Sequence, residues 1–217
     1  MPTARPWIVK LGGSLHDAPA LRTWLLLLAT APGPPRAIVP GGGPFADAVR
    51  AAQARLGFDD GTAHRMALLA MAQFGTLCTG LAPALLGAPS VAAVRTALAA
   101  GRVPVWLPLD LLAGHGAIEE SWRVTSDSLA LWLAGELGAA RLVLVKSGAL
   151  PEAEADAADL AARGLLDAAF PAFAASAGIA IDCVHRDRPE RLRAALGSGG
   201  TAGIRLGRNP VSPAKTT

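Results

Sequence analysis

Short, almost continuously apolar runs recur along the chain, separated by longer stretches with helical spacing. The runs are "WIVKL" (7–11), "RAIVP" (36–40), "VPVWLP" (103–108), "RLVLVK" (141–146), "IAIDCV" (179–184) and "GIRL" (203–206). Apolar runs of this length without strict alternation are what strands covered on both faces look like. Between them, "DAPALRTWLLLLAT" opens at Asp17 and carries Pro19 near its first turn, where the ring costs no helical hydrogen bond. "PFADAVRAAQARLG" starts at Pro44, repeats apolar positions at Phe45, Val49, Ala52 and Leu56, and stops at Gly57, a helix with its C-terminal glycine. "DDGTAHRMALLAMAQFGTLCTGLAPALLG" reads as one long helix or a pair, and "TSDSLALWLAGELG" runs from a Ser or Thr cap to Gly138. Strands alternating with helices predict an α/β fold, a three-layer αβα sandwich around a mainly parallel central sheet.

Composition narrows the class. The 217 residues are 52% hydrophobic and 17% charged, which suits one compact domain. No linker or repeat divides them, and "NPVSPAKTT" reads as a frayed tail over 209–217. Cys78 and Cys183 lie far apart without CxxC spacing, which argues against a zinc site or disulfide framework and suits a reducing cytoplasm. The start "MPTARPWIVKLGG" lacks the apolar core of a signal peptide, and "WLLLLATA" is too short to span a bilayer. Formal charge is +3, with much of the excess in "HRDRPERLRAALG" and "IRLGRNPVSPAKTT". Asp187 and Glu190 interrupt the first segment and no aromatic residue stands in it, so a solvated helix face is expected there. Neither nucleic acid nor membrane is an expected partner.

Lysine is rare: Lys10, Lys146 and Lys215 stand against 17 arginines. Two of the three follow apolar runs and precede a small polar turn. A compact ammonium on a slim stem does what a wide guanidinium fork does not. After Lys10 comes Gly12-Gly13-Ser14, and after the second strand comes Gly41-Gly42-Gly43 before a helix. Glycines let backbone N–H groups approach an anion, and a helix N-terminus adds its positive end. In a parallel sheet both turns emerge at the C-terminal edge, where ligands bind. Neither turn is a Walker A loop or a GxGxxG fingerprint. Asp127, at the start of "TSDSLALWLAGELG", suits a capping role. It equally suits a carboxylate holding Lys10 and Lys146 together, since two ammonium groups need an acidic neighbour.

"VKLGGSL", "PGGGPFADAVR", "TSDSLA" and "LVK", in that order, resemble the amino acid kinase family over about residues 7–206. The resemblance implies an ATP- and Mg²⁺-dependent phosphotransferase with a small-molecule acceptor. The acceptor would bind the N-terminal part (about 7–120) and the nucleotide the C-terminal part (about 121–206). By resemblance Lys10, Asp127 and Lys146 are catalytic. Gly12, Gly13, Ser14, Lys146 and Ser147 serve the nucleotide phosphates, and Gly41, Gly42, Gly43, His64 and Thr125 serve the acceptor. The resemblance is greatest to members that phosphorylate (aminomethylfuranyl)methyl phosphate to a diphosphate in methanofuran-type cofactor biosynthesis. Alternatives are acceptors like those of acetylglutamate, uridylate or isopentenyl phosphate kinases, or a non-catalytic nucleotide- or oxyanion-binding protein. Magnesium is expected on the nucleotide oxygens rather than in a protein cage, and a homodimer or higher homo-oligomer is implied. The family's "DVDG"-like continuation after the fourth strand is replaced by "KSGALPEAEADAADL", so residues that recognise the base do not carry over. His16 stands just past the first turn, and Asp167 and Phe170, in "GLLDAAFP", either shape the site or cap and pack a helix.

Overall fold

The computed structural model describes residues 4–207; the tail expected at 209–217 lies outside the described residues. Among the described residues seven strands form one sheet in the order β3-β4-β2-β1-β5-β6-β7. They are β1 (Trp7–Leu11), β2 (Arg36–Pro40), β3 (Leu85–Ala88), β4 (Val103–Trp106), β5 (Arg141–Lys146), β6 (Ala180–His185) and β7 (Ile204–Arg205). All neighbours run parallel except β6 and β7. The helices are α1 (Ala20–Thr30), α2 (Gly43–Leu56), α3 (Asp60–Leu81), α4 (Val91–Ala99), α5 (Ser126–Glu136), α6 (Ala157–Ala162), α7 (Phe170–Ser176) and α8 (Pro189–Ser198).

Every residue of β1 and β2 is buried, as expected of strands covered on both sides. On one face Ile8, Leu142 and Leu144 pack with Val94 of α4, Leu129 and Leu133 of α5, Leu160 of α6 and Phe170 of α7. On the other, Val9, Leu11, Val143 and Val145 pack with Trp24 and Leu25 of α1 and Leu192 and Leu196 of α8. Helix α3 feeds Leu68 and Met71 into the first layer and Phe74 and Cys78 into the second. This is the three-layer αβα arrangement with a mainly parallel sheet.

Two elements depart from the sequence expectation. The Ala/Leu-rich stretch 59–87 is a single helix that ends at Leu81, and its remainder forms the edge strand β3. The β3 pattern is buried only at its ends, Leu85 and Ala88, so it carries no strand signature of its own. Helix α4 follows directly, started by Ser90, whose side chain accepts a hydrogen bond from Ala93 N at 3.1 Å. The run expected to extend to Pro108 ends at Trp106.

The register decides where the lysines point. Lys10 pairs with Leu144 across the β1–β5 ladder, and Lys146 lies two residues beyond Leu144. Paired residues and i, i+2 neighbours share a face, so both ammonium stems leave the sheet on the side covered by α5. Lys10 is the penultimate residue of β1, not its last, while Lys146 does end β5.

Candidate active site

Helix α5 is buried almost all round. Its first residues, Ser126, Asp127 and Ser128, are as hidden as the leucines after them. The helix therefore lies flat on the sheet, with its N-terminus at the strand ends. Asp127 Oδ1 lies 2.8 Å from Lys10 Nζ, and Oδ2 lies 2.5 Å from Lys146 Nζ. The Lys146 contact is a hydrogen bond. The Lys10 contact is an ion pair. Side-chain exposure is 6% for Lys10 and Asp127 and 11% for Lys146.

Two cations and one anion in a dry site leave one positive charge in excess. Burial alone would push the Asp127 carboxyl up. The attraction of Lys10 and Lys146 outweighs it and holds the group at about 2. Lys10 is lowered as well, but from a different cause: burial depresses its ammonium, Asp127 opposes this, and the like charge of Lys146 adds to the depression. The two directions are consistent, because one carboxylate draws on two partners while two ammonium groups share one.

The two glycine turns meet backbone to backbone beside this trio. A Cβ on Gly13 would stand 2.3 Å from Gly43 N, and one on Gly41 would stand 2.5 Å from Gly13 N. Gly41 donates its own N–H to Leu11 O at 2.8 Å, so what it contributes here is close approach rather than a free donor. Gly42 and Gly43 open α2, with Gly43 at φ +55°. Gly12 sits against Val145 O, 3.0 Å from where its Cβ would be. Replacing Gly13 by Ala drives a methyl into main chain rather than into a flexible tip. The expected cost is about 3 kcal/mol, the upper end of ordinary overpacking, measurable by urea denaturation.

A cavity of about 500 Å³ opens from the turns toward α2 and α3. Among the expected site residues Gly13, Ser14, Gly42, Gly43, His64 and Thr125 line it, together with His16. Leu68, Met71, Val124 and Leu129 give it an apolar wall, and Trp122 and Arg50 stand beside them. The Arg50 guanidinium lies 4.2 Å from the centre of the Trp122 ring, and Trp122 Nε1 donates to Gln53 Oε1 at 2.6 Å. His64 is 5% exposed. Burial pushes its pKa down, against a backbone hydrogen bond at Ser121 and the nearby Glu120 carboxylate, so a neutral imidazole faces the cavity at pH 7. Ser147 lies outside the cavity, where its hydroxyl meets that of Ser14 at 2.6 Å. Sequence reasoning did not single out Trp122 or Arg50, although Arg50 ends "PGGGPFADAVR" and Trp122 stands just before "TSDSLA"; the cavity brings them together.

Asp167 holds the start of α5 from forty residues downstream. Its carboxylate accepts from Thr125 N at 2.9 Å, Thr125 Oγ1 at 3.0 Å, Ser128 N at 3.0 Å and Ser128 Oγ. Thr125 occupies the N-cap position of α5, yet its side chain does not cap the helix; Asp167 supplies that capping in its place. Phe170 is fully buried, so the capping-and-packing alternative describes both residues. Replacing Asp167 by Ala strips several donors of one charged acceptor and is expected to cost about 2–3 kcal/mol, read as a lowered midpoint in thermal unfolding.

The sequence model of the amino acid kinase family matches residues 5–148. The chain is 30% identical over 139 residues to [5-(aminomethyl)furan-3-yl]methyl phosphate kinase of Methanocaldococcus jannaschii, an alignment covering 64% of this chain and 63% of that protein. It thus spans less than two thirds of that relative. By structure it resembles uridylate kinase from Archaeoglobus fulgidus, with TM-score 0.69, 17% identity, and 93% of this chain and 99% of that one covered. UMP kinase from Ureaplasma parvum gives TM-score 0.68 at 15% identity, over 95% and 99% of the two chains. Aspartate kinase from Synechocystis gives 0.63 at 14%, over 95% and 40%. With most of the sheet, both glycine turns, Asp127 and Lys146 inside the matched residues, the chain belongs to the amino acid kinase family.

Proposed function

We propose that the protein is an ATP-dependent kinase that moves the γ-phosphoryl group onto a phosphomonoester, giving a diphosphate. The proposed acceptor is (aminomethylfuranyl)methyl phosphate, in methanofuran-type cofactor biosynthesis. The observation that carries this reading is the buried trio at the strand ends, one carboxylate between two ammonium groups, beside two interlocked glycine turns. The sequence likeness to the Methanocaldococcus jannaschii phosphate kinase supports the choice of acceptor.

In this reading the donor phosphates lie over Gly12, Gly13, Ser14 and Ser147, and the acceptor phosphate lies at Gly42, Gly43, His64 and Thr125 in the cavity. The N-terminus of α2 favours that anion by its dipole. Lys10 and Lys146 meet charge as it spreads over the transferring group, and Asp127 keeps both in place without reorganisation. An acceptor phosphate oxygen forms the new P–O bond as the bond to the ADP oxygen breaks. That oxygen is already anionic near neutral pH, so no strong general base is needed. A neutral His64 borders the acceptor without adding charge.

Both Asp127 oxygens face lysines, and among the described residues no three His, Cys, Asp or Glu side chains gather as a metal site. The chain's own groups therefore do not fit a magnesium cage. Magnesium is taken as part of the MgATP substrate, and no step is assigned to it.

The test is phosphorus NMR of purified protein with MgATP and the furan phosphate. A new diphosphate signal matched by ADP is expected. ADP without it, or product only with uridylate, isopentenyl phosphate or a carboxylate from an acceptor panel, overturns the acceptor assignment.

A further inference from the structure

We propose that Arg186 is a third cation of this site, binding the phosphates of the nucleotide donor; the assignment rests on the kinase reading above. Arg186 follows β6 directly, and its guanidinium reaches back over the edge where β1 and β5 end. Nη1 lies 3.4 Å from Ser147 Oγ and 3.5 Å from Ser14 O, beside the contact between the Ser14 and Ser147 hydroxyls. It thus stands on the far side of the first glycine turn from the acceptor cavity, which Ser14 lines and Ser147 does not.

The backbone of Arg186 is fixed from both sides. Its N–H donates to Lys146 O at 2.8 Å, and its carbonyl accepts from Trp24 Nε1 at 2.6 Å. Trp24 is wholly buried in α1, so the single polar atom of a core indole is committed to holding this one turn. The side chain itself is held loosely. Both Nη1 contacts are at the outer limit of a hydrogen bond. The nearest carboxylate, Asp187, is 3.7 Å from Nε and 62% exposed, which makes a weak pair. An anchored backbone carrying an under-committed guanidinium is suited to exchanging long contacts for short, charge-assisted bonds to phosphate. The buried trio supplies one positive charge in excess, whereas a nucleoside triphosphate beside a phosphate acceptor brings several negative ones. Arg186 adds a cation on the donor side.

Isothermal titration of MgATP into the wild type, Arg186→Ala and Arg186→Lys tests this. Arg186→Ala is expected to weaken MgATP binding and raise its KM by about 10- to 100-fold, the span of a charged hydrogen bond lost. The acceptor KM and the melting temperature should hold. Arg186→Lys should recover part of the affinity, restoring charge but not the fork. If wild type binds MgATP and Arg186→Ala binds it as tightly, the Arg186 assignment falls and the kinase reading stands. If Arg186→Ala lowers the melting temperature and raises both KM values together, the residue is structural and the assignment falls as well. If the wild type does not bind MgATP, the kinase reading fails and Arg186's role fails with it.

Discussion

Replacing Lys10 by Met is expected to cut turnover by about 10²–10³-fold, the scale on which one preorganised group aimed at developing charge is lost. The same variant is expected to be as stable as the wild type, or more so. Lys10 is nine-tenths hidden, and burial depresses its ammonium even with Asp127 beside it. The folded protein therefore carries this charge at a cost. Methionine keeps the volume of the stem and leaves Asp127 with Lys146, a balanced pair with a hydrogen bond of 2.5 Å. Exchanging a buried ion for an apolar group of like size is often neutral or stabilising. Steady-state kinetics and thermal unfolding on one preparation separate the two effects. Turnover near wild type would remove Lys10 from the chemistry.

Asp127→Asn is expected to damage both activity and stability. It leaves two buried ammonium groups facing each other with only the more distant Asp167 carboxylate as counter-charge, a change that costs about 3–5 kcal/mol. For a chain of this size that lowers the melting temperature by on the order of 10 °C. Acidity should erase the difference. The carboxyl is held at about 2 against its ordinary 3.8, so its contribution is full above 3.8 and disappears as pH falls through about 2. Alkali should act oppositely on the variant. A lysine depressed by burial binds its proton more weakly folded than unfolded, so stability rises with pH up to the ordinary 10.5. Equal stability of wild type and variant at pH 7 would show that the trio is not a charge cluster in solution.

Much of this site was readable before any coordinates. β1, β2 and β5 were legible because they are buried on both faces and carry no competing helical period. Charge made the convergence of Lys10 and Lys146 on Asp127 one of two expectations, beside helix capping; the pairing of β1 with β5 sets the two ammonium groups on either side of that carboxylate. The edge strand β3 was not legible, because Leu86 and Gly87 face outward and its composition continues that of α3. Arg186 was hidden in a different way. The arginines after 185 read together as a solvated helix face, but α8 begins only at Pro189. Only the β5–β6 register, pairing Lys146 with His185, sets Arg186 beside the strand-end lysines rather than on that helix. Asp167 was left between shaping the site and capping a helix, because its partners lie about forty positions away, a separation that no local pattern encodes.

The interlocked glycine turns divide the molecule into parts that can and cannot drift. Where main chain abuts main chain, as at Gly13 and Gly43, no compensating replacement elsewhere restores room for a side chain, so those positions are frozen together. The walls of the adjoining chamber, Leu68, Met71 and Trp122, meet no such restriction. Directed evolution toward new acceptors should accumulate changes there, with the catalytic junction inherited intact.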